Sequence, residues 1–231
     1  MTFEDPLFWT ALLKIIGVNI ILSGDNAVVI ALAARSLPEK QRGQAVFWGS
    51  GAAIVMRIIL TLFAVALLAL PWLKFIGAVL LLWIGVKLLT DEEDGDDGVK
   101  SHDSMLAAIK TILIADLVMS IDNVIAVAAA ANGNTVLVMI GLAISIPLII
   151  FASTLLIKVM ERFPIVITIG AALIGWVAGE MAWTEKVIEP FTSQYPHQFS
   201  YIAAAAGAIL VVAIGKFLVR RQGSEGEARQ A

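Results

Sequence analysis

Two stretches of this chain set carboxylates, amides and hydroxyls inside strongly apolar sequence, at matching spacing. Residues 19–31 read Asn-Ile-Ile-Leu-Ser-Gly-Asp-Asn-Ala-Val-Val-Ile-Ala. Residues 116–128 read Asp-Leu-Val-Met-Ser-Ile-Asp-Asn-Val-Ile-Ala-Val-Ala. At one constant offset Asp25 matches Asp122, Asn26 matches Asn123, Ser23 matches Ser120 and Asn19 matches Asp116. A carboxylate inside an apolar span is costly and marks a functional site by default. Two of them at equivalent points of an internal repeat point to one site where the two halves meet.

The donor types decide the chemistry. Asp25, Asp116 and Asp122 bring three acids into apolar sequence, and Arg57, in the middle of another apolar run, is the compensating cation. One Arg against three acids leaves a deficit of positive charge, which protons or a bound cation must fill. Hard oxygen ligands with little nitrogen and no sulfur suit Mn²⁺, Mg²⁺ or Ca²⁺. Both histidines, His102 and His197, read as loop residues, so zinc, copper and nickel are disfavoured. Cysteine is absent, which excludes disulfides, thiolate metal sites and thiol nucleophiles.

These side chains need helices to position them. Positions i, i+4 and i+7 share a helix face. Asn19, Ser23 and Asn26 have that spacing, and so do Asp116, Ser120 and Asn123. Asp25 and Asp122 lie about 100° off these stripes on an unbroken helix. They face a second helix, or the backbone unwinds and turns them inward. Gly24 eases unwinding in the first stretch, whereas Ile121 takes its place in the second, so the halves are expected to differ. Asn19, Ser23 and Ser120 are equally readable as packing or back-bonding residues. Arg57 reads as a repeller of ligands or as the partner of an acid, and the pair is favoured. Trp83, Trp176 and Trp183 read as interface or packing residues.

Composition places these helices in lipid. The chain has 231 residues, 59% hydrophobic and only 15% charged, with a mean hydropathy of +0.90. A soluble domain is nearer about 45–50% apolar and about 25% charged. Seven apolar segments have spanning length, near residues 8–33, 44–69, 72–90, 104–131, 135–158, 164–183 and 200–219. Pro71 and Pro164 begin spans, and Pro147 is expected to kink the fifth. The acidic start Met1-Thr2-Phe3-Glu4-Asp5 lacks the basic region of a cleaved signal, so the first span is expected to be retained.

Repetition extends beyond the polar stretches, because residues 76–83 (Ile-Gly-Ala-Val-Leu-Leu-Leu-Trp) resemble residues 169–176 (Ile-Gly-Ala-Ala-Leu-Ile-Gly-Trp). The expected fold class is therefore all-α: a polytopic membrane protein of seven transmembrane helices in one domain. It comprises two inverted three-helix repeats, about 8–90 and 104–183, plus a seventh helix at about 200–219. Arg35, Lys40, Arg42, Lys158, Arg162, Lys216, Arg220, Arg221 and Arg229 then share one side, with mainly Lys74 and Lys186 opposite. The positive-inside rule puts the N-terminus outside and the C-terminus in the cytoplasm. The acidic segment 91–103 becomes a cytoplasmic loop, read as a solvated linker in preference to a cation-gathering funnel.

Ser-Gly-Asp-Asn-Ala-Val-Val-Ile at 23–30, with Ser-Ile-Asp-Asn-Val at 120–124, resembles the TerC family of integral membrane proteins. The resemblance runs from the first span through the sixth, and the layout is similar to that of LysE-type exporters. It implies Mn²⁺ export from the cytoplasm across the inner (plasma) membrane, with loading of secreted metalloenzymes or contact with translocation machinery as attendant roles. By analogy Asp25, Asn26, Asp122 and Asn123 bind metal, joined by Asp116; Asn19, Ser23 and Ser120 complete the candidate set. The family name evokes tellurite, but an oxyanion would need a cluster of Arg or Lys. One Arg among three acids argues for a cation.

The expected function is divalent cation efflux, Mn²⁺ as substrate, by proton-coupled antiport. The expected partners are the ion, the bilayer and further copies of the chain, with no nucleic acid. The alternatives are a non-transporting scaffold or metal-delivery partner working through the acidic loop and basic tail, and an intramembrane hydrolase. The hydrolase is disfavoured because it leaves the repeated Asn and Ser without a role, and no enzymatic activity is expected.

Overall fold

Long apolar runs in lipid leave the backbone few ways to satisfy its hydrogen bonds, and the α-helix satisfies them within one segment. The computed structural model describes residues 6–22, 24–63, 70–90, 101–130, 135–196 and 198–230, and among these residues there is helix and no strand. The helices are α1 (Pro6–Leu22), α2 (Gly24–Arg35), α3 (Glu39–Leu62), α4 (Leu73–Thr90), α5 (Ser101–Ala130), α6 (Thr135–Arg162), α7 (Ile165–Trp183), the single turn α8 (Glu189–Thr192) and α9 (Gln198–Gln230).

Five of them are long and apolar enough to cross a membrane: α3, α4, the Val138–Arg162 part of α6, α7, and the Gln198–Arg221 part of α9. The sequence predicts seven. The α1 helix has 17 residues and α2 has 12, with Ser23 between them outside the described residues. At 30 residues, α5 is about 45 Å long. It carries Lys110, Asp116 and Asp122 within its length.

Several boundaries move. The second span begins at Glu39 rather than near residue 44, and α9 continues to Gln230, past residue 219. His102 falls in the first turn of α5, not in a loop. The α6 helix continues through Pro147. The acidic segment 91–97 and His197 lie outside the described residues. Large apolar side chains such as Trp48, Phe63, Phe151 and Phe217 are exposed. Lipid solvates such a surface, whereas in water it would be an aggregation liability.

The chain divides into two compact units. The first comprises Met1–Leu70 with Ser101–Lys158. In it α5 packs against α1, α2 and α3, and α2 packs against α3. Small residues permit the approach. A Cβ on Gly49 of α3 would lie 2.8 Å from Ile112 Cδ1 of α5, and one on Gly141 of α6 would collide with Ile15 of α1.

The second unit comprises Pro71–Lys100 with Val159–Ala231. Its centre is the pairing of α7 with α9, with α4 against both. Gly175 and Gly179 present a small-residue face to α9; a Cβ on Gly175 would lie 2.5 Å from the Gly207 carbonyl oxygen, and one on Gly179 would strike that of Ala203. Backbone-to-backbone packing of this kind drives helix association where the hydrophobic effect is weak. Leu70-Pro71-Trp72 supplies no side-chain oxygen to cap α4. The cap comes from afar: buried Glu185 accepts the Phe75 N–H at 3.1 Å, satisfying a donor left open in the first turn. Trp72 itself has φ of 66°, costly for a bulky residue.

Candidate functional site

Three helices of the first unit bring the polar residues together. On α5 the stripe predicted from spacing is real: Asp116, Ser120 and Asn123 are all buried. On α3, Arg57 occupies the buried face that meets α5 and is only 1% exposed. On α2, Asn26 is buried, while Asp25 is half-buried in the first turn.

Arg57 is the hub. Its Nη2 donates to Asp116 Oδ1 in a salt bridge, and its Nε donates to Ser120 Oγ at 2.9 Å. Ser120 Oγ in turn donates to Asp116 Oδ2 at 3.2 Å. Guanidinium, hydroxyl and carboxylate thus close a ring, with each Asp116 oxygen accepting one bond. Thr61, one turn further along α3, donates to the Arg57 carbonyl at 2.7 Å. A buried pair survives only where good geometry and extra hydrogen bonds offset desolvation, and this ring supplies both. The sequence favours Arg57 as partner of an acid, and Asp116 is that acid. Ser120 reads from sequence as a ligand or a back-bonding residue, yet here it bridges the pair.

Asp25 Oδ1 accepts the Asn26 N–H at 2.8 Å. The helix that carries Asp25, α2, packs against both α3 and α5, the helices of Arg57 and Asp116. Arg57 pairs with Asp116, and Asp25 stands outside that pair. Ser23 and the side chains of Asn19 and Asp122 lie outside the described residues. The helix α5 runs unbroken through Ile121 and Asp122, so the backbone does not unwind there. Gly24 too is helical.

Among the described residues, no three His, Cys, Asp or Glu side chains are grouped to hold a metal ion. A cation here would draw on carboxylates supplemented by the amides and hydroxyls beside them. Two buried residues escape the sequence reading. Ser50, seven positions before Arg57 on α3, has a buried hydroxyl with no hydrogen-bond partner among the described residues. Glu185 adjoins Lys186 and reads as a loop charge; the uncapped start of α4 is the signal that it is needed elsewhere.

Fold and site together define an α-helical membrane protein whose buried Arg57–Asp116 pair lies in one helical unit. The chain belongs to the TerC family: residues 4–223 match the model described as integral membrane protein TerC family. It is 46% identical over 185 residues to the uncharacterized membrane protein YjbE of Bacillus subtilis, covering 80% of this chain and 84% of that one. Identity to YceF of the same organism is 28% over 218 residues, 90% of this chain and 82% of YceF. Identity to the UPF0053 inner membrane protein YgdQ of Escherichia coli K12 is 26% over 216 residues, 86% of this chain and 89% of YgdQ. No solved structure matches the chain.

Proposed function

We propose that this protein exports a divalent cation, Mn²⁺, from the cytoplasm across the inner (plasma) membrane, in exchange for protons. One observation carries the reading: α2, α3 and α5, from both sequence halves, pack together, so that the helix of Asp25 lies against the helices that hold the buried Arg57–Asp116 pair. Asp122, the repeat partner of Asp25, completes the proposed ligand set with Asn26, Asn123 and Asp116. Asn19, Ser23 and Ser120 supply further oxygen. Metal binding needs these carboxylates ionised, so cation loading and proton release are coupled.

The proposed architecture has seven spans, with α1 and α2 forming the first and α5 the fourth, and an inverted relation between the halves. Supporting it, the first unit takes the first two segments of each half, and the second takes the third segment of each half plus α9. The proposed orientation keeps the N-terminus outside and the basic C-terminus in the cytoplasm.

Purified protein in liposomes provides the test. Wild type is expected to move Mn²⁺ down an imposed gradient and to respond to an opposing pH gradient. Asp25→Asn is expected to abolish the flux while the protein stays folded, because the amide oxygen still accepts the Asn26 N–H. Flux in Asp25→Asn equal to wild type removes this residue from the site.

A further inference from the structure

We infer that Arg57 is a tethered competitor for the transported cation: its guanidinium occupies Asp116 when the ion is absent and must leave when the ion binds. The inference rests on the transport reading above and specifies how that site is regulated.

The ring shows why Asp116 is unavailable as it stands. Oδ1 takes the salt bridge from Arg57, and Oδ2 takes the hydroxyl of Ser120, which is itself held by Arg57 Nε. Both oxygens are engaged, one by the guanidinium and one by the hydroxyl that the guanidinium holds. A metal ion bound by Asp116 replaces those contacts, because two cations on one carboxylate in a buried site repel at close range. Arg57 cannot deprotonate, so it vacates the carboxylate by moving. A guanidinium that returns to Asp116 as the ion leaves restores the ring of Arg57, Ser120 and Asp116. It also keeps the ion from binding too tightly to be released.

The arrangement is one-sided. The position on α6 that corresponds to Arg57 by the repeat offset carries no cation: Thr154 stands there and donates to the carbonyl of Ile150 in its own helix. The competitor is therefore a single device on α3.

A competitor that holds Asp116 about nine-tenths of the time weakens apparent affinity about tenfold. Mn²⁺ binding to the purified full-length protein, followed by calorimetry and paired with flux in liposomes, tests this for wild type, Arg57→Gln and Arg57→Lys. Arg57→Gln is expected to bind Mn²⁺ about tenfold more tightly while turning over more slowly, since release is no longer assisted. Arg57→Lys keeps the charge but loses the fork to Ser120 and Asp116; its affinity is expected between the two, and it serves if Arg57→Gln does not fold. Wild type that binds Mn²⁺, with both folded variants binding equally or more weakly, overturns the competitor and spares the transport reading. Wild type that neither binds nor moves Mn²⁺ overturns the transport reading and the competitor together.

Discussion

At the scale of single residues, the account turns on the difference between a charge that is balanced and one that is not. Arg57 and Asp116 are both buried, so losing either leaves the other uncompensated. Arg57→Gln and Asp116→Asn are each expected to destabilise the protein by about 3–5 kcal/mol. The double variant leaves no buried lone charge and is expected to cost well under the sum. Chemical unfolding in detergent, run as a double-mutant cycle, measures the coupling; strictly additive losses contradict the pairing. Residue types foretell this pair, because a lone Arg in an apolar run needs an acid. They do not foretell which of three acids it takes, since that depends on how α3 and α5 are offset, and no local pattern encodes the offset. Glu185 makes the same point from the other side. A Glu beside a Lys at a helix end looks solvated, and only the chain's return past the start of α4 turns it inward.

At the scale of helices, small residues set which pairs come close. A side chain at Gly179 or Gly207 would drive into the backbone of the facing helix, whereas Gly43 faces open space. Gly179→Ala and Gly207→Ala are expected to destabilise by about 1–3 kcal/mol through overpacking. Gly43→Ala, on the exposed face of α3, is expected to be neutral or to stabilise by up to about 1 kcal/mol. Thermal unfolding of the three variants separates the cases, and equal shifts would contradict the assigned packing. Helix placement was largely legible: Leu73–Thr90 and Ile165–Trp183 fall within a residue or so of where apolar runs and prolines put them. The early start of α3 and the long tail of α9 were hidden because Glu39-Lys40-Gln41-Arg42 and the stretch beyond Lys216 are polar, and a helix can leave lipid without ending. The stripe on α5 followed directly from i, i+4, i+7 spacing, which holds in any straight helix.

For the whole molecule, orientation and substrate are the claims at stake. The absence of cysteine makes single introduced cysteines clean reporters. In the proposed orientation, Lys40→Cys and Arg220→Cys react with a membrane-impermeant thiol reagent only from the cytoplasmic side, and Gln194→Cys only from outside. The reverse pattern would invert the direction of transport. The family is carried by the paired Asp-Asn motifs, which a sequence displays openly; the substrate is not, because Mn²⁺, Mg²⁺ and Ca²⁺ all accept oxygen ligands. The most direct measurement is anomalous diffraction from crystals of the protein soaked in Mn²⁺. The account predicts one buried peak with oxygens of both Asp25 and Asp122 about 2.2 Å away, between the usual Mg²⁺ and Ca²⁺ distances. A well-ordered crystal with no buried manganese, or with manganese touching neither aspartate, contradicts it.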